Sequence, residues 1–207
     1  MEKADWFFDV ISPFGYLHFH SLAALDGRVD VQTIPVLLAG LLKHWDTKGP
    51  AEIPPKRLHT YQYCVWKAGE LNLPFRMPPR HPFNSLNAQR LLVAAQADRE
   101  VVSRAFDFVY GEGRDPELEF DAFAEHLGLN NAREIVGATA VKQQLLANTE
   151  RAISLGAFGV PTLMVRGRLF WGSDTVEWTR AFLDDPKLFE RPTYEDAARS
   201  EFGVARR

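Results

Sequence analysis

The sequence of 207 residues contains one cysteine, Cys64. An intrachain disulfide is therefore impossible, as is any chemistry that needs two protein thiols. Long apolar runs are also missing. No window approaches the ~18 uninterrupted apolar residues of a membrane span, and the N-terminus lacks the basic and apolar regions of a secretory signal. Neither sign of charge dominates: 24 Lys and Arg stand against 27 Asp and Glu, a net −3 that points away from nucleic acid and anionic membranes. The six His are scattered, and no His/Cys/Asp set has metal-ligand spacing. Gly111-Glu-Gly113 lacks the Gly-x-Gly-x-x-Gly frame of a phosphate loop. These absences predict a cytoplasmic protein of one domain, or of a small domain carrying a large insertion.

Apolar residues make up 46% of the chain and include 15 Phe, enough for a substantial core. The patterning alternates strand and helix at the start. Ala4–Val10 is aromatic and β-branched enough for a buried strand, and Val29–Pro35 reads as a second. From Leu37 to about Leu155 the period is helical. Leu58, Tyr61, Val65 and Trp66 share one predicted face, as do Phe120, Phe123 and Leu127. Val141, Leu145, Thr149 and Ala152 form a third stripe, ending at Gly156. Pro74 to Pro82 is too rich in proline to be regular, and Asn84 or Ser85 caps the helix that follows. Gly159–Val165 and Leu169–Trp171 then predict a hairpin about Arg166-Gly167-Arg168. A last helix is predicted from Asp174, with Glu177 completing a capping box. The plan is βαβ, a long helical insertion, then ββα.

Ser12-Pro13-Phe14-Gly15 puts a hydroxyl at the end of a strand, with Pro13 suited to the first helical position. Thiol–disulfide enzymes of the thioredoxin type carry the first cysteine of Cys-x-x-Cys there, and Gly15 falls where the second would be. Ser12 fits two roles: an N-cap, or a donor to an anion such as a bound thiolate. A serine nucleophile would need a base. His18 and His20 lie inside the predicted helix without a nucleophile elbow, so a hydrolase is not favoured. Pro161 reads as a strand opener or, if cis, as a device presenting the Val160 backbone to an extended peptide. Ser173 and Asp174 read as turn residue and cap, or as receptors for an amino-acid headgroup.

Six segments in order resemble the 2-hydroxychromene-2-carboxylate isomerases and the kappa-class glutathione transferases. They are Phe8-Asp-Val-Ile-Ser-Pro-Phe-Gly-Tyr-Leu17, Pro54-Pro-Lys-Arg57, Pro78-Pro-Arg-His-Pro-Phe-Asn-Ser-Leu86, Asn148-Thr-Glu-Arg-Ala152, Gly156-Ala-Phe-Gly-Val-Pro-Thr162 and Phe170-Trp-Gly-Ser-Asp174. The resemblance implies an α/β fold in which a thioredoxin-like domain, residues 1–36 and 155–207, is interrupted by an all-helical domain, residues 37–154.

It further implies glutathione as cofactor. Ser12 would contact its sulfur, and Val160, before a cis Pro161, would pair with its cysteinyl backbone. The segment Trp171, Gly172, Ser173 and Asp174 would hold the γ-glutamyl end. The implied reaction interconverts 2-hydroxychromene-2-carboxylate and trans-o-hydroxybenzylidenepyruvate in aromatic hydrocarbon catabolism of the naphthalene type. It runs by reversible thiolate addition, bond rotation and elimination, with Ser12 stabilising the thiolate rather than attacking.

A flat aromatic carboxylate needs aromatic walls and a cation or amide. Lys43, Lys48 and Asn84 are the candidates for that contact, with Lys56 a further one. Each Lys also reads as a surface charge, and Asn84 as a helix cap. Thr47 stands where relatives commonly carry Asn, beside the expected cofactor or substrate. The competing readings are a kappa-like transferase or peroxidase acting on small electrophiles, and a non-catalytic binding protein. The expected assembly is a homodimer without membrane or nucleic-acid partners.

Overall fold

The computed structural model describes residues 1–201 and Gly203. Four strands form one sheet in the order β2-β1-β3-β4. β1 (Glu2–Phe8) lies at its interior, parallel to β2 (Val29–Pro35) and antiparallel to β3 (Thr162–Val165). β4 (Arg168–Trp171) closes the hairpin with β3. An interior strand covered on both faces reads as a continuous apolar run rather than an alternation. Accordingly Trp6, Phe7 and Phe8 are all fully buried.

The two-residue period of β1 divides the core. Trp6 and Phe8 stack at 4.8 Å on one face, within a cluster that includes Leu17, Phe106 and Phe123. Phe7 points to the other face, among Ile34, Leu41, Ala152 and Met164. Helix α1 (Pro13–Ser21) is buried on nearly all sides, which its almost unbroken apolar sequence anticipates.

Between β2 and β3 the chain is helical. It runs through α2 (Leu38–His44), α3 (Pro54–Glu70), α4 (Leu86–Ala94), α5 (Arg99–Phe106), α6 (Phe120–His126), α7 (Ala132–Gly137) and α8 (Thr139–Ser154). Asn148 of α8 donates to the Pro35 carbonyl at 3.1 Å, and Thr149 accepts the Leu37 N–H at 3.1 Å. Arg151 pairs with Asp5. The Asn148–Ala152 segment thus fastens α8 to the sheet. The chain ends in α9 (Val176–Asp184) and α10 (Pro192–Ala198). Among the described residues no helix is long and apolar enough to cross a membrane.

Several local expectations need correction. α3 buries Thr60, Cys64 and Ala68, while Leu58, Val65 and Trp66 stand more than half exposed. Small side chains let α3 approach α1 closely, so the larger apolar residues face out. β1 begins and ends two residues earlier than predicted, and β3 begins only after Pro161. Thr175, not Asp174, occupies the N-cap position of α9, and its side chain makes no cap bond. Gly172 at φ +105° turns the chain before the helix can start.

Candidate active site

Ser12 occupies the N-cap position of α1 in an extended conformation, with Pro13 in the first turn. Its Oγ accepts the Gly15 N–H at 3.2 Å. The same hydroxyl lies 3.4 Å from the Val160 carbonyl, in position to donate to it. The Val160–Pro161 bond is cis, as is His81–Pro82. A Cβ at Gly15 would meet the Phe106 ring at 3.1 Å. The large aromatic core therefore leaves little room for a second side chain where a resolving thiol would stand. Cys64 is fully buried in α3, and burial pushes its thiol up to about 12. His18 accepts the Trp6 indole N–H at 3.0 Å and is depressed to about 4 by burial, so it is engaged in the core rather than at Ser12.

Ser12 opens into a cavity of about 1100 Å³. Much of its wall is apolar, including Phe14, Leu37, Leu42, Trp45, Phe83 and Phe158. Of the residues expected from the sequence, Ser12, Thr47, Lys48, Lys56, Asn84, Val160 and Trp171 all line it. The structure does not bring the rest to that wall. Lys43 is exposed on α2 and does not face the cavity. Pro161, Gly172, Ser173 and Asp174 lie beside it: the Gly172 N–H donates to the Pro161 carbonyl at 3.0 Å, which ties that turn to the cis-proline loop. Asp174 is exposed, and its charge adds to burial in raising the Tyr63 hydroxyl. Asn84 acts locally as well, its Oδ1 accepting the Leu86 N–H at 3.1 Å at the start of α4.

Three polar residues of this region were not anticipated. Asp9 is fully buried, and its carboxylate accepts from the Ile11 N–H at 3.1 Å, the Leu38 N–H at 2.9 Å and the Ser85 hydroxyl at 2.9 Å. Burial pushes it up to about 6 despite those donors. His81 places Nε2 2.6 Å from the Ile11 carbonyl and Nδ1 2.6 Å from the Tyr61 hydroxyl. Both His81 and Tyr61 line the cavity. Asp9 and His81 sit inside segments the resemblance had singled out. An acid at a strand end between apolar residues was the available signal for Asp9.

The "Glutathione s-transferase kappa 2" of Caenorhabditis elegans is 28% identical over 218 residues, spanning 94% of this chain and 96% of that protein. The 2-hydroxychromene-2-carboxylate isomerase of Sphingobium xenophagum is 27% identical over 194 residues, spanning 89% of this chain and 99% of that one. The solved structure of a 2-hydroxychromene-2-carboxylate isomerase shares the fold, with a TM-score of 0.77 at 23% identity over 96% of this chain and all of that one. The DSBA-like thioredoxin domain matches residues 3–184, nearly the whole of the sheet and its helices. The chain belongs to the DsbA-like thioredoxin domain family.

Proposed function

We propose that the protein is a glutathione-dependent isomerase of a 2-hydroxychromene-2-carboxylate or a close aromatic analogue, forming the open-chain benzylidenepyruvate. The observation that carries this reading is Ser12. A hydroxyl at a helix N-terminus opens into a large apolar cavity where the protein has no thiol of its own. That donor set suits an external thiol. The N-terminal amides of α1 and the positive end of its dipole favour an anion there, and the hydroxyl would add a donor by turning its one proton from the Val160 carbonyl 3.4 Å away to the anion. Glutathione, when bound, supplies a thiolate able to add to and leave an electron-poor carbon.

The chain's own residues position and exclude. Ser12 would hold negative charge at the sulfur, Val160 would pair with peptide backbone, and Ser173 with Asp174 would take the γ-glutamyl ammonium and carboxylate. Trp45, Phe83 and Phe158 offer walls to a flat ring, and Lys48 or Asn84 an anchor for its carboxylate. The reducing cytoplasm, where glutathione stays a thiol, is the compartment this reading implies. A homodimer is the assembly it implies, and the exposed Leu58, Val65 and Trp66 of α3 offer an apolar face for it.

A kappa-like transferase is the second reading, supported by a kappa relative as similar as the isomerase one. The two separate in one assay with a chromene carboxylate and glutathione far below the substrate concentration. Turnover many times beyond the glutathione supplied supports the isomerase. Consumption of one glutathione per product rejects it in favour of the transferase.

A further inference from the structure

The Tyr61–His81 pair has a hydrogen-bonding order that the surrounding atoms dictate. His81 Nε2 faces the Ile11 carbonyl at 2.6 Å, and a carbonyl oxygen can only accept. Nε2 therefore carries the imidazole proton, and in the neutral ring Nδ1 is bare. Nδ1 then has to accept, and the Tyr61 hydroxyl 2.6 Å away is its donor. The His81 carbonyl is the other acceptor within reach of that hydroxyl, at 3.0 Å, and a single proton serves the shorter contact. With its proton committed to Nδ1, the Tyr61 oxygen keeps lone pairs for other partners. A tyrosine that would ordinarily donate to a ligand becomes an acceptor, matched to a ligand hydroxyl.

Three further features fix the arrangement. The Tyr110 hydroxyl donates to the same Ile11 carbonyl at 2.6 Å and stands 3.5 Å from His81 Nε2, closing the buried side of the ring. The Tyr61 and His81 rings meet edge to face at 5.2 Å. Ile11 immediately precedes Ser12, so the relay is anchored on the residue before the proposed thiol site.

We infer that Tyr61 and His81 form a proton relay that removes the hydroxyl proton of a cyclic hemiketal substrate and returns it to the ring oxygen. This inference rests on the isomerase reading and names the group of the substrate that the site acts on. In the step, the hemiketal O–H proton passes to the Tyr61 oxygen as the Tyr61 proton passes to His81 Nδ1. The O–H electron pair becomes the second bond of the new carbonyl. The ring C–O bond breaks, and its pair stays on the phenolic oxygen. The proton then returns from His81 through Tyr61 to that oxygen, so atoms and charge balance with no further reactant. Tyr61 is the catalytic residue, since it meets the substrate. His81 acts through it and positions it.

The relay needs His81 neutral at rest. Burial lowers its titration from the ordinary value, Arg57 of α3 lowers it further, and the bond to the Ile11 carbonyl opposes both. Tyr61 from α3, Tyr110 from the turn after α5 and Arg57 are the titratable groups around the ring, with Asp9 acting on Tyr110 from the loop after β1. The imidazole is therefore a free base across neutral pH, and activity should fall as acid protonates it.

The test combines two variants with readouts independent of turnover. Tyr61→Phe removes only the hydroxyl. With 2-hydroxychromene-2-carboxylate, kcat should fall about 100-fold, the lower range for a lost acid–base group. The KM for glutathione and the absorbance of bound thiolate should stay at wild-type values. His81→Gln leaves an amide donor for the Ile11 carbonyl but no base, and should lose kcat together with the acid limb of its pH profile. The 15N spectrum of labelled His81 in the resting wild type should report the Nε2–H tautomer. A Tyr61→Phe enzyme with undiminished kcat, an Nδ1–H tautomer, or loss of thiolate in step with kcat overturns the relay while leaving the glutathione reading in place. A wild type that forms no bound thiolate overturns both.

Discussion

The Ser12 hydroxyl and the Val160 carbonyl lie 3.4 Å apart, joining the first turn of α1 to the cis-proline loop 148 residues later. The same oxygen caps α1 through the Gly15 N–H, so its two roles separate by substitution. Ser12→Ala should cost about 1 kcal/mol through the lost cap, and Ser12→Gly only a few tenths. Both should abolish the thiolate absorbance of bound glutathione near neutral pH. Retention of that absorbance in Ser12→Ala would remove Ser12 from the mechanism.

Asp9 makes stability depend on pH in an unusual direction for a carboxylate. Its folded pKa of about 6 lies above the ordinary 3.8, so the folded chain binds its proton more tightly than the unfolded chain does. The stability it contributes is complete below 3.8 and is lost as pH rises through 6. The loss amounts to roughly 3 kcal/mol at 1.36 kcal/mol per pH unit. Asp9→Asn has no such step. Urea titrations at pH 4 and pH 8 should show the wild type losing about 2.4 kcal/mol to this variant, since at pH 4 the unfolded carboxyl is already partly ionised; parallel curves would refute it.

Gln89 is a buried tie between two strand ends. Its side chain donates to the Phe8 carbonyl at 2.9 Å and the Val36 carbonyl at 2.8 Å, and accepts the Val10 N–H at 3.2 Å. Gln89→Leu fills the space but leaves the Val10 N–H and the Val36 carbonyl without this partner. At ~1–3 kcal/mol for each buried orphan, the loss should reach about 3 kcal/mol. Denaturant unfolding measures it, and a change under about 0.5 kcal/mol contradicts the tie, being the size expected of an ordinary surface substitution.

Gly172 offers a test of the headgroup site that leaves Ser12 untouched. A Cβ there would come 2.8 Å from Asp174 Oδ1, and φ of +105° is strained for any side chain. Gly172→Ala should displace Asp174 and raise the KM for glutathione about tenfold, the factor corresponding to 1.4 kcal/mol of binding. At saturating glutathione the thiolate absorbance should recover. An unchanged KM would take Asp174 out of the headgroup site.

What could be read from the sequence was local in its physics. Ser12 followed by Pro13 announces a helix start, and the aromatic run of β1 announces an interior strand, because capping and burial are decided within a few residues. α3 misled because residue size, not hydrophobicity, decides its inner face: Thr60, Cys64 and Ala68 pack inward while Trp66 faces out. The ties made by Asp9, Gln89 and His81 were illegible. Each has a partner far along the chain, 76, 81 and 70 residues away, and no periodicity encodes such meetings.

The burial of Cys64 gives the experimenter a quiet background. Its thiol is inaccessible and held near 12, so mild alkylating reagents at neutral pH should leave the folded chain unlabelled. Any sulfur that reacts in a gel-filtered sample then belongs to a passenger. Counting it by mass spectrometry gives the occupancy of the Ser12 site without a substrate in hand.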